Sequence, residues 1–211
     1  MIDHLKTVYK YSLECRSAAS LGDGGAITVW SILKGMVDGP QAVVPQGMAD
    51  GSQTDSQPRM SYQVVDTAYQ PIQEEVQREC LSHGIDYSMT ITPNHLNANL
   101  NQTDLLFINS MHVYGQIKRE LGKYHEFVAK YIVIHNTDVD GQYGEARRCN
   151  WTVKHLVQRR GYEARDFIVG IVPAIEEFLA THSEWSVDLN HSNCYGLMVL
   201  RRDQSGSLAS G

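Results

Sequence analysis

Apolar positions in this chain change period repeatedly, and each change marks an element. Ile2, Leu5, Tyr9 and Leu13 recur at helical spacing, so the chain is expected to open with an amphipathic helix that buries this face. The small-residue segment SAASLG follows as a strand and runs through the glycine turn LGDGGA into a second helix, ITVWSILKGM. SYQVVD (61–66), DYSMTIT (86–92), DLLFIN (104–109) and YIVIH (131–135) are short apolar runs of strand length. Between them, Ile72, Val76 and Cys80 behind Pro71, and later Val113, Ile117 and Leu121, repeat at helical spacing and predict two more helices. Helices over 153–160 and from Pro173, the latter turning Ile175, Phe178 and Leu179 inward, lead to closing strands near WSVDL and YGLMVL.

Strands that alternate with helices and read as near-continuous apolar runs predict a mostly parallel sheet covered by helices on both faces. The length of 211 residues suits one domain, taken as 1–203, with the small polar tail 204–211 expected to be disordered. The stretch 37–60 is rich in Gly, Pro, Ser and Gln and too long for an ordinary connection, which predicts a flexible insertion acting as a lid. RELGKYHE carries mixed charge and reads as a solvated helix face.

Charge and cysteine content narrow the chemistry. A net charge of −6 offers no basic field to a phosphate backbone, which argues against nucleic acid as a partner. Cys15, Cys80, Cys149 and Cys194 are far apart, form no C-x-x-C pair and read as reduced core residues. The opening residues hold no long apolar run, and no stretch approaches the roughly 18 apolar residues of a membrane span. A soluble, cytoplasmic protein with no membrane partner is the expectation.

In an open α/β sheet ligands bind beyond the carboxyl ends of the strands, where the strand order reverses. Five segments deliver polar groups to that edge: the glycines after SAASL, Asp66, Asn94, Asn109 and the turn after YIVIH. Gly22, Gly24 and Gly25 permit close backbone approach to a ligand, or simply a tight turn. Asp66 ends its strand where nucleoside-binding sheets place an acid for ribose hydroxyls, while Asn94 suits either a base edge or a local cap. His112 and His135 are candidate general bases, since an unperturbed imidazole titrates at about 6.5; each is equally readable as a structural histidine. Asp138, Asp140 and Glu145 form an acidic loop, favoured as solvated surface over a hard-cation site.

At these residues the chain resembles the class I S-adenosylmethionine-dependent methyltransferases, in the small Rossmann-like group of bacteria, phages and large viruses. DLLFINSMHVYGQIKRELGKYHEFVAKYIVIHNTDVDGQYGEARR is similar to the family's fourth strand, helix and fifth strand, and VPAIEEFLATHSEWSVDLNHSNCYGLMVLRR to its closing helix and hairpin. CRSAASLGDGGAITVWSILKGM resembles the cofactor-binding first motif, and YQVVD the second strand. The resemblance implies a Rossmann-like, doubly wound sheet with a C-terminal antiparallel hairpin. It also implies binding of S-adenosylmethionine and methyl transfer to a small hydroxylated acceptor, such as a sugar or glycan precursor. Ser20 stands where the family's first motif has an acid facing the cofactor's amino-acid part, and Asn109 and Asn136 stand where members carry Asp. By the resemblance, Ser20, Gly22, Gly24, Gly25, Asp66, Asn94 and Asn109 line the cofactor, and Asn109, His112 and His135 the reaction centre. An Asp to Asn change keeps one acceptor oxygen but loses the anion that binds a metal or holds a protonated base. A divalent cation is therefore not favoured, and the alternative function is a catalytically degenerate fold that binds the cofactor or a protein.

Overall fold

The computed structural model describes residues 2–22, 27–39 and 59–203. Gly24, Gly25, most of the 37–60 stretch and the 204–211 tail lie outside these residues, so the expectations of a cofactor loop, a lid and a disordered tail there stay as expectations.

Seven strands form one sheet: β1 (Ser17–Leu21), β2 (Ser61–Asp66), β3 (Asp86–Ile91), β4 (Thr103–Ile108), β5 (Val128–His135), β6 (Trp185–His191) and β7 (Leu197–Arg202), in the order β3-β2-β1-β4-β5-β7-β6. The first five run parallel, and β7 pairs antiparallel with both β5 and β6. Helices α1 (Ile2–Ser12), α2 (Ile27–Asp38), α3 (Ile72–Ser82), α4 (Tyr114–Tyr124), α5 (Glu145–Arg148), α6 (Val153–Arg160), α7 (Ala164–Ile168) and α8 (Ile171–Thr181) complete the fold. α2 continues two residues into the stretch that reads as an insertion, through Val37 and Asp38.

The continuous apolar strands are explained by burial on both faces. Ala19, Leu21, Leu106, Ile108, Ile132 and Ile134 point into one core with Ile117, Leu121 and Phe178 of α4 and α8. Their neighbours Ala18, Leu105, Phe107, Tyr131 and Val133 point into a second core with residues of α1, α2 and α3. Two-fold alternation along the central strands β1, β4 and β5 feeds both layers, whereas the edge strands β3 and β6 stay largely exposed.

Three sequence expectations change on folding. α1 buries His4, Val8, Tyr11 and Ser12, with Leu5, Tyr9 and Leu13 only half-buried, so its inward face is rotated from the apolar stripe. The rotation lets polar α1 residues reach β6 and the turn after it: Thr7 bonds His191 (3.0 Å), the Tyr11 hydroxyl donates to Asp188, and His4 bonds Asn193 of the turn (3.2 Å). Cys15 and Cys80 are buried as expected, but Cys149 and Cys194 are exposed; all four are free thiols. Glu120 of the RELGKYHE face is not solvated at all, being 0% exposed.

Candidate active site

The sheet order reverses between β1 and β4, and three backbone segments leave the sheet side by side there. Leu21 pairs with Val65 on one side and Ile108 on the other, so Gly22, Asp66 and Asn109 emerge together. Gly22 N–H donates to Val65 O (2.8 Å) and Asn109 N–H to Leu21 O (2.9 Å). Gly22 adopts φ +75, and a Cβ there would lie 2.4 Å from the Asn109 carbonyl oxygen. Only glycine fits this left-handed, crowded position. The expected convergence of Gly22, Asp66 and Asn109 on one edge is present. Asp66 is half-buried and accepts a hydrogen bond from the Thr67 N–H through Oδ1.

Ser20 does not take part as expected. It is 0% exposed, and its hydroxyl lies 2.7 Å from the Tyr62 hydroxyl. Strand alternation turns position 20 to the same face as Ala18, into the core beneath the edge, where an acid would need a charged partner. Asn94 caps the short helix His95–Asn97, its Oδ1 accepting from Leu96 N–H (3.2 Å) and from Gln116 Nε2 (3.4 Å). Of its two readings the local cap is the one seen, so its carbonyl oxygen is committed to the protein.

A polar chain runs through the loops after β4 and β5. His112 is 7% exposed, with Nε2 3.1 Å from Asn109 Oδ1 and Nδ1 3.2 Å from Asn136 Nδ2. Asn136 Nδ2 also donates to Asp140 Oδ2 (3.0 Å), which fixes the amide nitrogen rather than its oxygen toward this centre. An amide nitrogen only donates, so His112 Nδ1 must accept and the ring proton sits on Nε2, donated to Asn109. Glu145 Oε2 is farther from Nδ1, at 3.5 Å, and accepts instead from the His112 backbone N–H (3.2 Å). His112 thus presents a proton toward Asn109, not a basic lone pair.

His135 ends β5 beside His112 and His4, with ring centroids 6.4 and 5.6 Å away. Burial, reinforced by these two neighbouring imidazoles, pushes its pKa down to about 4. An imidazole of such low proton affinity is a poor general base at neutral pH. The Nδ1 of His112 thus faces an amide donor and His135 has a lowered proton affinity, and the general-base role of either stays an expectation.

Asp138 is exposed while Asp140 is 0% exposed, so the acidic loop is not one solvated surface. Asp140 accepts from Arg148 Nε (2.7 Å) and Nη2 (3.0 Å), a bidentate pair. Among the described residues no group of three His, Cys, Asp or Glu is placed to hold a metal ion. The β6–β7 turn closes this side, with Asn136 N–H donating to Gly196 O (2.9 Å) and Asp138 N–H to Tyr195 O (3.0 Å).

Sequence reasoning missed Glu120. Its oxygens accept from the Ser110 hydroxyl (2.6 Å) and Gln116 Nε2 (2.7 Å), with His95 Nδ1 at 3.3 Å. It therefore ties the loop after β4 to the loop after β3, directly beneath the edge. The available signal was position, because Glu120 falls three residues after Ile117 and four before Tyr124, on the buried stripe of α4. Two cavities among the described residues lie elsewhere. One of about 220 Å³ opens at the amino-terminal edge near Ser61, Asp86 and Thr103, and one of about 490 Å³ lies between α4 and α7 near Lys118 and Arg165. Neither lies at the point where the strand order reverses, so the carboxyl edge remains the candidate.

No family model matches the sequence, and no curated protein matches it. Solved structures do match. The SAH-bound methyltransferase PaMTH1 of Podospora anserina aligns over 95% of this chain and 78% of its own, with 11% identity and a TM-score of 0.51. The O-methyltransferase of Bacillus cereus in complex with SAH aligns over 95% and 81%, with 11% identity and a TM-score of 0.52. TomG of Streptomyces achromogenes, an O-methyltransferase of tomaymycin synthesis in complex with SAM, aligns over 95% and 80%, with 12% identity and a TM-score of 0.52. With the β3-β2-β1-β4-β5-β7-β6 order and the antiparallel final strand, these matches establish that the chain has the fold of the class I S-adenosylmethionine-dependent methyltransferases.

Proposed function

We propose that this protein binds S-adenosylmethionine at the carboxyl edge of its sheet and transfers the methyl group to a small hydroxylated acceptor. The observation that carries the reading is the meeting of Gly22, Asp66 and Asn109 at the point where the strand order reverses. The Gly22 turn brings bare backbone to that crevice, and Asp66 supplies carboxylate oxygens suited to vicinal ribose hydroxyls. When bound, the cofactor supplies a sulfonium whose methyl group is electrophilic, so the protein's part is alignment of donor and acceptor. Asn109 stands at the same edge, its side chain oriented by the Nε2–H of His112, where an acceptor would approach the methyl group. Proton removal by His112 requires the Asn136 amide to leave Nδ1.

Calorimetric titration with S-adenosylmethionine and S-adenosylhomocysteine tests the reading, followed by label transfer from methyl-labelled cofactor to a panel of sugars and phenols. Absence of binding by either nucleoside at millimolar concentration refutes it. A second reading, a cofactor-binding module without turnover, is favoured by the neutral Asn109 and Asn136 and by the depressed affinity of His135. Tight binding with no transfer to any acceptor selects it.

A further inference from the structure

The family that the chain resembles carries Asp at positions 109 and 136, where a pair of carboxylates can bind a divalent cation, and the residues present here do not fit one. Asn109 Oδ1 accepts from His112, Asn136 turns its nitrogen inward, and both oxygens of Asp140 accept from Arg148. Glu145 Oε1 faces the same guanidinium at 3.5 Å. A hard cation needs several converging oxygens, and here the converging oxygens already face N–H groups. We propose that Arg148 is the site's fixed cation: it replaces a metal as the counter-charge of Asp140 and, through Asn136, positions His112 as the Nε2–H tautomer.

Each link follows from the one before. Asp140 is wholly buried, and an ionised carboxylate in that position is tolerable only with a charged, hydrogen-bonded partner. Arg148 remains protonated under all ordinary conditions, and its bonds to Asp140 raise its pKa further. Its planar fork sets the carboxylate plane, leaving Oδ2 to accept from Asn136 as well. Asn136 holds φ +63, a conformation that asparagine adopts more readily than other residues with a side chain, and this aims its amide between Asp140 and His112. With the amide nitrogen at 3.2 Å nearer to Nδ1 than Glu145 Oε2 (3.5 Å) or Asp140 Oδ2 (3.8 Å), the proton of neutral His112 is placed on Nε2, facing Asn109. Arg148 touches neither ring nitrogen and is a positioning residue, placed by the short helix α5, whose first residue bonds the His112 carbonyl (2.9 Å).

The inference is independent of cofactor binding and of turnover, so its test uses the free full-length protein. Side-chain ¹⁵N spectra of the wild type at mildly alkaline pH are expected to report His112 protonated on Nε2; protonation on Nδ1 overturns the proposal. Mn²⁺ added alone to the wild type is expected to leave the His112 and Asn136 side-chain signals unbroadened. In Arg148→Ala the same signals are expected to broaden at an Mn²⁺ concentration about tenfold lower than any effect in the wild type. Equal broadening in both proteins overturns it. Arg148→Lys, which keeps a charge at the position, is the variant to use if the alanine protein does not fold. It is expected to retain the Nε2–H tautomer and to exclude Mn²⁺, and selective broadening in it overturns the proposal.

Discussion

The Ser20 and Tyr62 hydroxyls offer the sharpest test of how this fold departs from the pattern it resembles. They lie 2.7 Å apart with neither residue exposed. Ser20→Ala removes one net hydrogen bond, worth about 1 kcal/mol, and leaves the Tyr62 hydroxyl without this partner, at a further cost of about 1 kcal/mol or more. A loss of about 2 kcal/mol lowers Tm by about 6 °C in a domain of this size. Tyr62→Phe strands the Ser20 hydroxyl in turn, with a loss of similar order. The double variant removes both groups, so its loss falls short of the sum of the singles by about 1 kcal/mol or more. Denaturant unfolding of the four proteins measures that coupling. Calorimetry with S-adenosylmethionine on Ser20→Ala measures the other half, and affinity within about twofold of wild type is expected, because the hydroxyl faces the core. Additive stabilities, or a tenfold weaker affinity with stability unchanged, would show that Ser20 serves the ligand and not the core.

Four further outcomes are expected. Gly22→Ala meets both the left-handed backbone and the Asn109 carbonyl, so it should cost more than the roughly 1–2 kcal/mol of the conformation alone and weaken nucleoside binding, read by unfolding and calorimetry. Glu120→Ala removes a buried acceptor shared by Ser110, Gln116 and His95 and should destabilise by about 3 kcal/mol, with faster amide exchange in both loops it joins. His135 is neutral when folded and titrates near 4, against 6.5 when unfolded, so its contribution is intact above pH 6.5 and is lost as pH falls toward 4. The loss amounts to about 3 kcal/mol across that window, and His135→Gln should flatten the acid limb of the stability profile. Gly196→Ala would place a Cβ 2.1 Å from the Asp138 nitrogen at φ +91, and should both lower Tm and release the turn against the β5 loop, seen as lost protection of the Asn136 and Asp138 amides.

The sheet was legible because strands buried on both faces must be apolar at successive positions, and LLFI (105–108) and YIVI (131–134) obey that rule without exception. The edge was legible because topology, not side-chain chemistry, places Gly22, Asp66 and Asn109 together. Side-chain direction was not. Ser20 follows strand alternation into the core, and α1 turns polar residues inward because β6 offers them partners that lie far away in sequence. Glu120 reads as surface charge until α4 is set against the loops after β3 and β4, whose donors satisfy it. Nothing in the sequence singles out Arg148, because its partner Asp140 is brought to it by the path of the chain after β5. Long-range polar pairing is the part of this structure that periodicity does not encode.

The strand order places β7 between β5 and β6, so the latest described strand to be synthesised enters the sheet at an interior position. Until it does, β6 has no neighbour to pair with, and β5 shows an open flank of unsatisfied backbone groups. α1 must likewise wait for β6 before Thr7 and Tyr11 meet His191 and Asp188. α1 and the β6–β7 hairpin are thus joined only once that hairpin exists, and the loop bearing Asn136 gains its support from Gly196 only then. Premature termination anywhere before 197 should therefore leave a nascent chain with a half-built edge and a sticky strand exposed, a species suited to chaperone capture.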